Sequence, residues 1–131
     1  MGGLEDQLFS ACQDGNIEEV KHLLQTYPQI DVNNTHQQRL ILENNPLVAA
    51  CDKGHIEIVK LLLNVENIDV NGHGICEWLG QTPLSAACSS GHIEIVKLLL
   101  NDGRADVNKI YGRHTPFNSA CKKGHTEIVK L

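Results

Sequence analysis

The stretch that decides the fold is His55-Ile56-Glu57-Ile58-Val59-Lys60-Leu61-Leu62-Leu63, because it returns almost letter for letter at His92 to Leu100. It starts again at His125-Thr126-Glu127-Ile128-Val129-Lys130-Leu131, and a looser copy stands at Asn16-Ile17-Glu18-Glu19-Val20-Lys21-His22-Leu23-Leu24. Glu near the start and Lys a turn later suit the dipole of a helix. Apolar residues fill more than half of the segment, including Ile56, Val59, Leu62 and Leu63. A lone helical hairpin cannot cover that much apolar surface, so each copy needs a neighbour on both sides. Leu98 is expected in the buried stripe of its copy.

The same periodicity extends upstream of each copy. Ala11-Cys12-Gln13-Asp14-Gly15, Ala50-Cys51-Asp52-Lys53-Gly54, Ala87-Cys88-Ser89-Ser90-Gly91 and Ala120-Cys121-Lys122-Lys123-Gly124 align, with steps of 39, 37 and 33 residues. Pro46, Pro83 and Pro116 precede three of these glycines by eight residues, and each follows a capping residue, Asn45, Thr82 or Thr115. A cap followed by Pro at the first helical position starts a helix, and Gly in a left-handed conformation stops one. The unit therefore opens with a helix of about two turns, and the apolar helix follows at once. Downstream stand Asp31-Val32-Asn33, Asp69-Val70-Asn71 and Asp106-Val107-Asn108.

This pattern resembles the ankyrin repeat, a turn or β-hairpin followed by two antiparallel helices with the signature Thr-Pro-Leu-His-x-Ala. Here the signature reads Thr82-Pro83-Leu84-Ser85-Ala86-Ala87, Asn45-Pro46-Leu47-Val48-Ala49-Ala50 and Thr115-Pro116-Phe117-Asn118-Ser119-Ala120. The resemblance implies an all-α repeat solenoid whose helix pairs are joined by β-hairpin-like finger loops. It divides one domain, 1–131, into repeats at 4–33, 34–71 and 72–108 and a partial repeat at 109–131. The signature His is replaced by Val48, Ser85 and Asn118. In the family that His ties a repeat to its neighbour. Ser85 and Asn118 retain hydrogen-bonding capacity for this, and Val48 does not.

From each Asp-Val-Asn triplet's Asn to the next helix proline the distances are 13, 12 and 8 residues, so the extra length lies in fingers 34–44 and 72–81. The polar opening Leu4-Glu5-Asp6-Gln7 suits an N-terminal cap with one face in water. At the other end the sequence stops at Leu131 inside an apolar helix, and the natural protein is expected to continue. An ankyrin region of a larger enzyme or adaptor, with its catalytic part elsewhere, is thus the alternative to a free-standing interaction module.

Composition narrows the function. Eleven Lys and Arg against 16 Asp and Glu give a net charge of -5, which lacks the cationic field a nucleic-acid binder needs. No apolar run approaches a membrane span, and the N-terminus shows no secretory pattern. Five cysteines without such a signal predict reduced thiols and a cytoplasmic, intracellular setting. Four of the five are one position of the repeat. The recurring Cys-x3-His pairs, Cys51/His55, Cys88/His92 and Cys121/His125, lie a repeat apart, about 10 Å, so they do not converge as zinc ligands. His73 and Cys76 form a weaker pair still. No metal, cofactor or catalytic residue is assigned, because no nucleophile with its base stands out and no phosphate-binding or His-Glu-x-x-His motif occurs. Asn33-Asn34-Thr35 matches a glycosylation sequon without a secretory context. Asn33, Asn71 and Asn108 also match positions that are hydroxylated in some ankyrin proteins. Turn-making with left-handed geometry is the simpler role for them, and the repeated His is read as closing the turn between the paired helices.

The expected function is binding of another protein, by a monomer, through fingers and inner helices. Trp78, the only Trp, lies in the finger segment Ile75-Cys76-Glu77-Trp78-Leu79, where apolar side chains are exposed unless covered. The partner-binding set is Ile75, Glu77, Trp78 and Leu79 in this finger, with Arg39, Asp52, Lys53, Ser89, Ser90, Tyr111, Arg113, Lys122 and Lys123 placed on the concave face by the family resemblance.

Overall fold

The computed structural model describes residues 3–33, 36–37, 43–71 and 82–105. Among the described residues six helices form three antiparallel pairs: α1 (Leu4–Asp14) with α2 (Ile17–Thr26), α3 (Pro46–Lys53) with α4 (Ile56–Leu63), and α5 (Pro83–Ser90) with α6 (Ile93–Asp102). Between the first two pairs the short strands β1 (His36–Gln37) and β2 (Glu43–Asn44) pair antiparallel, with His36 opposite Asn44. The chain is thus a solenoid of helix pairs with a β-ladder in its first finger. The fourth copy of the pattern lies outside the described residues.

The local signals act where the sequence places them. Asn45 accepts from the Val48 amide at 2.8 Å and Thr82 from the Ser85 amide at 3.1 Å, each with Pro in the first helical turn. Gly15, Gly54 and Gly91 end their helices at φ 78°, 80° and 77°. At Gly15 and Gly54 a second constraint applies. A Cβ there would lie 2.7 Å from Cε1 of His55 or His92, which belongs to the next repeat.

The core runs the length of the stack. The first helices pack most closely on one another, α1 on α3 and α3 on α5, and the second helices touch less. Small side chains permit this approach: Ala50, Cys51, Ala86 and Ala87 are fully buried in the inner row. In the outer row Ile58, Val59 and Leu62, and their counterparts Ile95, Val96 and Leu99, are buried. Leu98 is only partly buried, as are Ile56 and Leu63, so the stripe is rotated from the one expected. The reason is that Leu61 and Leu98 pack beside the core rather than between helix pairs.

Candidate partner-binding surface

The repeats are joined by side chains that reach main-chain groups across each seam. His55 donates from Nε2 to the Gln13 carbonyl at 3.1 Å, and His92 does the same to the Asp52 carbonyl at 3.0 Å. Both carbonyls sit in the last turn of an inner helix, where no intrahelical donor remains. The repeated His therefore ties neighbouring repeats together and does not merely close its own helix turn. Ser85 does the opposite of what its signature position suggested. Its hydroxyl donates to the Thr82 carbonyl at 3.1 Å and accepts from the Thr82 amide at 3.0 Å, so it completes a cap within its own repeat. Val48 is buried in the core.

The Asp-Val-Asn triplets form a second set of ties. Asp31 and Asp69 each accept from the amide two residues on, at 3.0 Å, which makes the local turn. Asn33 then spans to the next repeat, donating from Nδ2 to the Asn67 carbonyl and accepting the Asp69 amide, both at 2.8 Å. Asn71 donates to the Arg104 carbonyl at 2.9 Å. No described residue other than Gly has a positive φ, so left-handed geometry is not what these asparagines supply. The first repeat has no preceding Asn, and Glu5 accepts its Asp31 amide at 3.3 Å instead. Recurrence of the triplet after each second helix was the available signal for Asn33 and Asn71. Glu5 carried none.

Arg104 was also not anticipated, since the preceding repeat has Asn67 at that register. Its guanidinium donates to both Asp102 carboxylate oxygens, at 2.6 and 2.9 Å, and to the Leu63 carbonyl at 2.8 Å. The fork closes the C-terminus of α4 from the next repeat. The Arg104 hydrogen bonds hold the Asp102 carboxyl below its ordinary pKa.

Of the residues expected to face a partner, four are described. Lys53 is exposed in the last turn of α3. Asp52, Ser89 and Ser90 are half-buried, and the Ser90 hydroxyl donates to Asp52 Oδ1 at 2.9 Å across the seam. Asp52 and Ser90 thus pair with each other, while the neighbouring Lys53 is open to solvent. Arg39, Ile75, Glu77, Trp78, Leu79, Tyr111, Arg113, Lys122 and Lys123 lie outside the described residues. Along the first repeat an open depression of about 390 Å³ is lined by polar residues including Asp6, Ser10, Asp14, Asn16 and Glu19. By register Asn16 takes the place of His55.

The described thiols are buried and free: Cys12, Cys51 and Cys88. Burial raises Cys12 to about 12 and Cys88 to about 11, and raises Cys51 further, with the adjacent Asp52 carboxylate adding to the effect. A thiol held protonated is neither a nucleophile nor a ligand at neutral pH. Among the described residues no three His, Cys, Asp or Glu side chains converge as a metal site would require. None of the described helices is long and apolar enough to cross a membrane.

A family model described as ankyrin repeats in three copies matches residues 8–111 and again residues 71–131. A search of curated proteins finds no match to the chain.

Proposed function

The chain belongs to the ankyrin-repeat family, and from that premise we propose that it binds a protein partner through its finger loops and the open side of its inner helices. Ankyrin repeats are generally protein-interaction modules and are typically non-catalytic. The observation that carries the reading is the seam chemistry. Side chains of one repeat grip main-chain groups of the next at both edges of the stack, which fixes the inner row and removes most of the ordering cost of binding. Lys53 stands free of that scaffold in the last turn of α3, and the inserted finger with Trp78 adds an aromatic anchor of the kind enriched in hot spots. Free thiols in the stack favour work in a reducing compartment, the cytoplasm, and the protein acts as a monomer.

The test is capture of the partner by wild type and by Trp78→Ala, followed by affinity measurement on the captured protein. The substitution is expected to cost about 2 kcal/mol of binding, roughly thirty-fold, with helix content unchanged by circular dichroism. Unchanged affinity removes Trp78 from the site. Loss of helix content instead assigns Trp78 to the packing of its own finger.

A further inference from the structure

We propose that Asn71 is a site of spontaneous modification, and that its conversion to aspartate or isoaspartate loosens the seam between the second and third repeats. Two independent observations meet there. Asn71 is the only Asn in the sequence followed by Gly. Its side-chain amide is also part of the inter-repeat clamp, donating to the Arg104 carbonyl at 2.9 Å.

The chemistry needs only water. The Gly72 backbone nitrogen attacks the Asn71 side-chain carbonyl carbon. The new C–N bond closes a five-membered imide, the Cγ–Nδ2 bond breaks, and ammonia leaves with the proton from the Gly72 nitrogen. Water then adds to one of the two imide carbonyls and opens the ring, giving aspartate or isoaspartate. Glycine favours the first step because no Cβ obstructs the approach of its nitrogen, and asparagine is among the thermolabile residues. Asn33 and Asn108, at the same register, are followed by Asn34 and Lys109, whose side chains hinder the attack.

The consequence follows from the clamp. Conversion removes the only N–H that Asn71 aims at the Arg104 carbonyl and puts a carboxylate oxygen in its place, so attraction becomes repulsion between two acceptors. Arg104 holds Asp102 and the Leu63 carbonyl at the same point, so the end of α6 loses its main-chain tie to the connection after α4. Isoaspartate also adds a carbon to the backbone beside the Asp69 turn, whose bond to the Asn71 amide is 3.0 Å long.

The experiment incubates the purified full chain at neutral pH and body temperature and follows each asparagine by peptide mass mapping. A one-dalton gain at Asn71 ahead of every other Asn, with isoaspartate detected there, is expected. Gly72→Ala should slow it to the rate of the others. Converted chains, separated by charge, should melt about 4 °C lower than unconverted ones, and Asn71→Asp should share that shift. The proposal is overturned if Asn71 converts no faster than Asn33 in the native chain, or if converted and unconverted chains melt together.

Discussion

A single glycine shows how tightly the seams are specified. Gly54 is held at φ 80° and its Cα faces the His92 ring, so Gly54→Ala meets both backbone strain and a 2.7 Å contact. The expected loss is about 1–3 kcal/mol in urea denaturation. If the ring contact contributes, combining Gly54→Ala with His92→Ala should cost less than the two changes summed, and strict additivity would assign the whole loss to backbone strain. The thiols give a pH test. Their pKa values are raised in the fold from 9.0, so below that pH both folded and unfolded chains keep the proton and stability does not respond. As pH climbs from there toward 11 or 12, the unfolded chain ionises first and stability falls. The slope is at most about 1.4 kcal/mol per pH unit for each thiol. Cys12→Ala should flatten the decline measured between these limits, and an unaltered slope would mean that Cys12 is not shielded as its burial indicates.

At the level of elements, the Asp-Val-Asn connection matters more than its length suggests. Asn33→Ala removes a donor and an acceptor that reach Asn67 and Asp69, and should lower stability by about 1–2 kcal/mol. Asn33→Asp keeps the acceptor for the Asp69 amide but turns a carboxylate oxygen toward the Asn67 carbonyl, so it should lose at least as much. If the alanine variant melts like wild type, the bridge carries no thermodynamic weight. Helix starts and stops were legible in the sequence because Asn45, Thr82 and the glycines act on their own neighbours. The ties across seams were not, because a side chain that bonds a main-chain group places no demand on the sequence it touches. His55 and Asn33 repeat in register, but nothing in the residues facing them marks the contact. The rotated stripe of the outer helices has a related cause. In Ile93-Glu94-Ile95-Val96-Lys97-Leu98-Leu99-Leu100 apolar residues are too dense for periodicity to decide between Leu98 and Leu99.

For the whole molecule, the core has no centre, and damage is expected to travel to adjoining repeats. Leu99 is fully buried, so Leu99→Ala should cost about 2–5 kcal/mol, while the partly buried Leu98 should cost less when truncated. Hydrogen exchange should show α4 and α5 loosening along with α6 in the Leu99 variant, and protection lost in α6 alone would contradict a shared core. The bond between Asp52 and Ser90 was legible only as two surface positions, since it depends on the stacking distance. The seam chemistry also bears on how such a chain can grow. Because the His and Asn ties end on main-chain groups, a duplicated unit inserted between the second and third repeats would find usable contacts for them on both sides without any matching change in its neighbours. Lengthening ahead of the first repeat is different: Glu5 already occupies the Asp31 amide, so an added unit would have to displace a resident acceptor. The middle of this solenoid is open to expansion by copying.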